Sequence, residues 1–176
     1  MDNFYLSALL AEIRPVILHK TLARISLTGS ALLFDFRLPE QLILRASFDA
    51  ASPALFLAQP GKETINDAHP FLTTLRKEIA AAQLISITKP ALDRIVLFEF
   101  ENFDVSGEKA LLTLVVALTG RSANAYLLDA NGNIKATLNN RGSFRVNDHF
   151  TYDETVFEPD YLLKHLFDST TQIEIV

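Results

Sequence analysis

The stretch from residue 71 to residue 100 constrains the fold most, because one helical pattern in it is followed directly by two strand patterns. Its first part, residues 71–82, has apolar residues three and four positions apart, which predicts an amphipathic helix with one face in a core. The strand patterns occupy residues 83–88 and 95–100, and the break between them contains a proline. A helix joined to strands by such short connections predicts a domain that contains both helices and strands.

Within residues 1–152, the remaining sequence adds one more helix and a series of strands joined by turns. Apolar residues at helical spacing predict a helix over residues 4–18, with Pro15 as the position where it would kink or end. Alternating patterns separated by turn residues predict antiparallel pairing. The further strands are predicted at residues 22–27, 31–37, 42–48, 55–57, 110–118, 124–128 and 134–138. The predicted fold class is α+β, with a largely antiparallel, sandwich-like sheet flanked by helices.

Length and composition bound the kind of protein. A chain of 176 residues can bury the core of one domain, which we predict at residues 1–152, followed by an acidic tail with a short helix at residues 153–176. The chain has no cysteine, which excludes disulfides and thiolate chemistry and is typical of a reducing cytosol. The sequence has no pattern of a secretion signal or a membrane span. We therefore expect a cytoplasmic protein.

The net charge of -5 is unevenly distributed. From Asp153 onward the chain has six acidic residues and one basic residue, Lys164, whereas residues 1–152 contain fifteen of each sign. Affinity for nucleic acid depends mainly on phosphate neutralisation. A body without net charge would therefore bind RNA only where its basic residues cluster.

Motifs of the common enzyme and metal classes are missing from the sequence. We find no phosphate loop, dinucleotide fingerprint, zinc-protease helix or nucleophile elbow. The four histidines are scattered along the chain without the spacing of metal ligands. We expect no enzymatic activity, no metal and no cofactor.

Two polar motifs between predicted strands are candidates for binding. In Asp93-Arg94, the carboxylate can accept from base amino groups or orient the guanidinium, which can bind phosphate or guanine. In Gly120-Arg121, the glycine permits a backbone turn that brings the arginine toward an anion. The plain alternatives are solvated surface charges for the first motif and a β-bulge for the second.

Three short motifs, in matching order and separation, resemble those of one known family. They are Leu75-Arg76-Lys77, then Leu92-Asp93-Arg94-Ile95, and finally Gly120-Arg121-Ser122-Ala123-Asn124 followed by Leu127-Leu128-Asp129. Over residues 2–140 the chain resembles the N-terminal domain of the NFACT family, the fibronectin-binding-protein-A-like and ribosome-quality-control proteins. It departs from the family pattern at Glu78, where relatives often have histidine, and at Ser122 and Ala123, where they usually have histidine and then serine.

The resemblance implies a fold similar to the N-terminal domain of formamidopyrimidine-type DNA glycosylases. It also implies a non-enzymatic domain that binds tRNA and the large ribosomal subunit while stalled nascent chains are tailed. The RNA-binding residues implied in this way are Asp93, Arg94, Arg76, Lys77, Arg121 and Asn124. With them we expect a cationic edge of the predicted helix to lie beside Asp93-Arg94.

Two other functions remain open at this stage. The family's older fibronectin-binding label suggests an adhesin-like, protein-binding module that does not bind nucleic acid. A diverged enzyme of the glycosylase type is the second, but those glycosylases begin with proline followed by glutamate, whereas this chain begins Met1-Asp2-Asn3.

Overall fold

The structure, a computed structural model, consists of two helices and two antiparallel sheets in the part of the chain that it describes, together with two short 3-10 turns. It describes residues 2–61, 64–103, 107–140 and 142–152, so the predicted acidic tail lies outside the described residues. The helices are α1 (Asn3–Ile17) and α2 (Pro70–Ile79). Neither helix is long and apolar enough to cross a membrane.

Each sheet is a meander in which every strand pairs antiparallel with the next in sequence. The first sheet consists of β1 (Arg24–Thr28), β2 (Ala31–Asp35), β3 (Ile43–Ser47) and β4 (Ala54–Ala58). The second consists of β5 (Gln83–Thr88), β6 (Ile95–Phe103), β7 (Lys109–Ala117), β8 (Asn124–Leu128) and β9 (Ile134–Thr137). The predicted α+β class with antiparallel sheets is confirmed.

One core joins the two sheets and the two helices. Side chains alternate between the two faces of a strand, and the inner faces supply residues such as Leu32 and Phe34 from the first sheet and Phe98 and Phe100 from the second. The rings of Phe34 and Phe98 stack with centroids 6.2 Å apart and planes inclined by 24°. Burying a side chain of this size contributes about 1.5–3 kcal/mol, so the sheets hold one another in place.

Helix α1 confirms the predicted helix, and Pro15 does not end it. The Asp2 carboxylate accepts a hydrogen bond from the Tyr5 amide at 2.8 Å and caps the first turn. Proline removes the donor for the carbonyl four residues earlier, which belongs to the exposed residue Ala11. Water can satisfy that carbonyl, so the helix continues to Ile17.

Helix α2 ends at Ile79, three residues before the predicted end at residue 82, because the chain joins a different partner there. Ala81 has a positive φ of 63°, and its amide donates to the Leu22 carbonyl at 3.0 Å, while the Leu22 amide donates to the Ala82 carbonyl at 2.9 Å. Leu22 is therefore used in this link, and β1 begins two residues later than predicted, at Arg24.

Residues 142–152 cover the outer face of the second sheet. We predicted no regular structure for most of this segment, since it is polar, but its aromatic side chains form a cluster against that face. The rings of Phe144 and Phe150 are 4.8 Å apart, and that of Phe150 is 5.3 Å from Tyr126 of β8. The Phe150 amide also donates to the Gly132 carbonyl at 2.9 Å. The second sheet is thus buried on both faces over part of its area.

Candidate functional site

Asp93 and Arg94 lie in the connection between β5 and β6, and both are partly exposed. The Asp93 carboxylate accepts a hydrogen bond from the Arg94 amide at 2.8 Å, which fixes the dipeptide locally. Within the same connection, the Lys89 ammonium donates to the carbonyls of Pro90 at 2.9 Å and Ala91 at 3.3 Å. These contacts hold the dipeptide on an ordered turn at the start of β6.

The environment of Lys89 links it electrostatically to this turn. Partial burial lowers the pKa of the Lys89 ammonium, and the charge of Asp93 opposes that change by favouring the protonated form. The charges of Lys89 and Asp93 therefore partly compensate each other at this turn.

The glycine-led motif lies directly beside Asp93-Arg94. The Leu118 amide donates to the Arg94 carbonyl at 2.8 Å, which places the 3-10 turn Gly120–Ser122 at the same end of the sheet. A cavity of about 260 Å³ is lined by Asp93 from one motif and by Thr119 and Ser122 from the other. The two motifs therefore meet at one cavity.

Arg121 is exposed in this turn. Its guanidinium has no partner among the residues that the structure describes, whereas the Ser122 hydroxyl donates to the Thr119 carbonyl at 3.3 Å. Gly120 has a φ of 69°, a left-handed conformation that glycine adopts without the steric cost of a Cβ. The glycine therefore permits the turn that presents Arg121 to solvent.

Sequence reasoning missed Arg145, which contacts two residues that line the same cavity. Its guanidinium donates to the Gly142 carbonyl at 2.8 Å and to the Phe144 carbonyl at 3.0 Å, and Gly142 lines the cavity. A Cβ on Gly142 would lie 2.7 Å from the Tyr126 hydroxyl, so glycine is needed for close approach. The aromatic residues at 144, 150 and 152 were the only signal that this polar segment folds onto the sheet.

We call the end of the molecule that carries Asp93, Arg94, Arg121, Ser122 and Arg145 the Asp93 surface. It combines three guanidinium groups with one carboxylate, and their spacing follows from strand pairing rather than from sequence proximity. Guanidinium groups bind phosphate oxygens through paired hydrogen bonds. The arrangement is therefore suited to a polyanion.

Helix α2 does not bring its basic edge to this surface, so the predicted juxtaposition is wrong. The Asn102 amide of β6 donates to the Glu78 carbonyl at 2.9 Å, which places the end of α2 beside the C-terminal end of β6. Arg94 precedes the N-terminal end of β6, and an extended strand over that interval spans about 26 Å. Lys77 is exposed near the far end of the strand.

Arg76 has a structural partner at the edge of the first sheet. Its Nε donates to the Ile25 carbonyl at 3.2 Å, and one terminal nitrogen lies 2.7 Å from the Asp67 carboxylate. β1 is an edge strand, and such strands expose unpaired carbonyls. Arg76 satisfies one of them and ties α2 to the first sheet.

Glu78 likewise has a partner inside the molecule. Its carboxylate lies 2.8 Å from the ammonium of Lys135 on β9. The departure from the family pattern at this position thus connects α2 to the second sheet.

Asn124 is fully buried and makes its contacts within the protein. Its side-chain nitrogen donates to the Thr137 hydroxyl and to the Asn139 carbonyl, both at 3.0 Å, while its oxygen accepts from the Asn139 amide at 3.1 Å. These bonds connect the start of β8 to the end of β9. We therefore leave Asn124 out of the Asp93 surface.

The fold is similar to that of solved structures of bacterial binding proteins. The N-terminal domain of the fibronectin-binding protein PavA from Streptococcus pneumoniae matches with a TM-score of 0.81 at 22% identity, over 94% of this chain and 68% of that one. The N-terminal part of the fibronectin/fibrinogen-binding protein from Streptococcus suis matches with a TM-score of 0.83 at 23% identity, over 99% and 70%. The fibrinogen-binding protein from Staphylococcus aureus matches with a TM-score of 0.67 at 19% identity, over 84% and 54%.

The family follows from the sequence itself. The model of the NFACT N-terminal and middle domains matches residues 2–149, which is most of the chain. This chain belongs to the NFACT family, as its three motifs predicted. No curated protein matches it at a significant level.

Proposed function

We propose that this chain is a tRNA- and large-ribosomal-subunit-binding recognition domain of the ribosome quality control machinery. In this proposal the Asp93 surface contacts RNA through Arg94 and Arg121, and Asp93 orients Arg94 or accepts from a base. Arg76 and Lys77 lie apart from the Asp93 surface, and the proposal gives them no RNA contact.

One observation carries the proposal most strongly: the Leu118–Arg94 hydrogen bond of 2.8 Å places two sequence-distant motifs of the family at one edge. Arg94 and Arg121 lie in different connections of the second sheet, and the pairing of β6 with β7 brings both to one end of it. The phosphate backbone of RNA offers closely spaced anions to such a pair.

The test is fluorescence anisotropy with labelled bulk tRNA at fixed, stated salt. The double variant Asp93→Ala, Arg94→Ala should bind at least about tenfold more weakly than the native protein, which corresponds to about 1.4 kcal/mol. Equal affinity of the two proteins would reject the Asp93 surface as the RNA contact.

A matched control removes a positive charge elsewhere on the same sheet. Lys109 lies at the far end of β6 and β7, where its ammonium is 3.0 Å from the Glu101 carboxylate. Lys109→Gln should retain tRNA affinity within about twofold, because surface ion pairs contribute little. Because the double variant leaves the net charge unchanged, a loss of affinity in Lys109→Gln alone would point to bulk charge rather than to a site.

The names of the structural neighbours support a second candidate, a fibronectin- or fibrinogen-binding module. Phe4 and Leu92 are 87% and 66% exposed, and the Asn3 side chain donates to the Ala91 carbonyl at 2.6 Å, which brings the start of α1 to residues 91–92. Exposed apolar groups of this kind are typical of protein contacts. This candidate would be favoured if the native protein bound immobilised fibronectin saturably and had no affinity for tRNA. The double variant Phe4→Ser, Leu92→Ser should then lose the fibronectin binding.

We also propose that the domain has no catalytic activity of its own, that it acts in the cytoplasm with its RNA partners, and that its fold is related to the N-terminal domain of formamidopyrimidine-type glycosylases. Incubation with damaged duplex DNA should give no strand cleavage. A superposition on such a glycosylase domain should align both sheets, whereas alignment of only one sheet would reject the relationship.

A further inference from the structure

A second cavity, of about 550 Å³, lies on the outer face of the first sheet and belongs to none of the family motifs. Strand pairing forms its base: Arg24 on β1 is directly opposite Asp35 on β2, and Ser26 is directly opposite Leu33. The walls are completed by residues of the connection between β2 and β3, and by Pro60, Gly61 and Ile65. We call this cavity the Arg24 pocket.

Two guanidinium groups of the Arg24 pocket have no hydrogen-bond or ion-pair partner in the part of the chain that the structure describes. Arg24 and Arg37 both line the cavity and are exposed, and neither side chain has a partner within the described residues. The Asp35 carboxylate accepts from the Arg37 backbone amide at 2.8 Å instead. The described lining residues therefore carry a net positive charge, and the two guanidinium groups can each form paired hydrogen bonds with an anion.

The wall that carries Arg37 has an unusual backbone. Arg37, Glu40 and Gln41 have φ values of 53°, 57° and 57°, a left-handed conformation that is unfavourable for residues with a Cβ. Such conformations cluster at ligand-binding segments, because the surrounding structure must hold them. Asp35 holds this one, and both Arg37 and Gln41 line the cavity.

The remaining lining is apolar with a few polar groups. Leu33, Leu38 and Ile43 form apolar walls, and Ser26 and Gln41 supply a hydroxyl and an amide. Pockets of roughly 300–1,000 Å³ accommodate ligands of the size of a nucleotide. A ligand that fits has an anionic group for the arginines and a compact body with apolar faces and polar edges.

We propose that the Arg24 pocket binds one nucleoside monophosphate unit. Its phosphate would lie between Arg24 and Arg37, and its nucleobase would pack against Leu33 and Ile43. Two guanidinium groups, each with paired donors, match a phosphate dianion better than they match a single carboxylate. The unit is either a free nucleotide or an unpaired nucleotide of a bound RNA. This site is separate from the Asp93 surface and does not depend on it.

Isothermal titration with 5′-AMP, 5′-CMP, 5′-GMP and 5′-UMP tests the proposal directly. At least one should bind saturably and about tenfold or more tightly than inorganic phosphate or the matching nucleoside, since each supplies only half of the contacts. No saturable binding at millimolar concentration, or equal affinity for inorganic phosphate, would overturn it.

Variants locate the binding. The double variant Arg24→Gln, Arg37→Gln should weaken nucleotide binding about tenfold or more. Its melting temperature should be unchanged, because both side chains are exposed. Arg121→Gln, the matched change at the Asp93 surface, should leave nucleotide binding unchanged. Amide chemical shifts in the native protein provide a check that needs no variant: changes at Ser26 and Gln41 support the pocket, and changes confined to the Asp93 surface contradict it.

The source of the nucleotide is decided by tRNA binding to the same variants. If the unit belongs to RNA, Arg24→Gln, Arg37→Gln weakens tRNA binding and the free nucleotide competes with tRNA. If the ligand is free, tRNA affinity is unchanged and no competition occurs. Both outcomes support nucleotide binding in the Arg24 pocket. Neither depends on whether the Asp93→Ala, Arg94→Ala variant weakens tRNA binding.

Discussion

Two arginines of this chain, Arg76 and Arg121, have the same chemistry and opposite surroundings. Arg76 donates to the Ile25 carbonyl and pairs with Asp67, whereas Arg121 is exposed with no partner in the described part of the chain. A side chain that already satisfies a backbone acceptor loses that contact when it binds a ligand. Arg121 loses none, so it is the better candidate for an anion.

The first prediction at this scale concerns Arg76. Arg76→Ala should lower the free energy of unfolding by about 1–2 kcal/mol, because it removes a hydrogen bond to an edge-strand carbonyl. The measurement is urea denaturation at neutral pH. Lys77→Ala, the neighbouring exposed change, serves as the control and should stay within about 0.5 kcal/mol. An equal loss of unfolding free energy in Arg76→Ala and Lys77→Ala would contradict the role of Arg76 at the edge strand.

Asn124 gives the second prediction. Asn124→Ala should destabilise the domain by roughly 2–4 kcal/mol, since the Asn139 amide and the Thr137 hydroxyl lose buried partners. Denaturant unfolding measures this cost, and tRNA affinity should be unchanged at temperatures where the variant is folded. Normal stability combined with weakened tRNA binding would restore Asn124 as an RNA contact.

At the scale of elements, the β8–β9 hairpin shows how a short connection is fixed. Asp129 accepts hydrogen bonds from the amides of Asn131 and Asn133, both at 2.9 Å. These bonds, first the one from the Asn133 amide, lower the pKa of the Asp129 carboxyl, and partial burial opposes them. The ionised form is therefore favoured in the folded state.

A pH dependence follows from the direction of this pKa change. A carboxyl whose folded pKa is lowered stabilises the protein above its unfolded pKa of about 3.9, and that contribution disappears as pH falls through the lower folded pKa. The stability advantage of the native protein over Asp129→Asn should be constant from pH 7 to about pH 5 and should shrink below about pH 4. Urea unfolding at several pH values measures it, and an advantage independent of pH would contradict the assignment.

The elements themselves were largely predictable from the sequence, because hydrophobic period and turn residues are local signals. β5 and β8 begin and end at the predicted residues. The end of α2 was not predictable, since Ala80 to Ala82 favour a helix locally and only the pairing with Leu22 ends it. Arg145 was missed for a similar reason: its position depends on where residues 142–152 pack.

At the scale of the whole molecule, strand pairing decides which charges act together. Residues 1–152 contain equal numbers of acidic and basic residues, so bulk attraction to RNA is weak and position is decisive. β6 separates the Asp93 surface from Lys77 by its full length. The family motifs therefore form one compact surface and one distant basic edge, which sequence order alone does not show.

The salt dependence of tRNA binding tests the central claim, that the Asp93 surface contacts RNA phosphates, most directly. Each phosphate contact contributes about 0.7–0.9 to the slope of log affinity against log salt concentration. Arg94→Ala, Arg121→Ala should reduce the magnitude of that slope by about 1.5, whereas Lys77→Ala, Lys109→Ala should leave it nearly unchanged. Equal reductions in both double variants, or none in the first, would contradict the account.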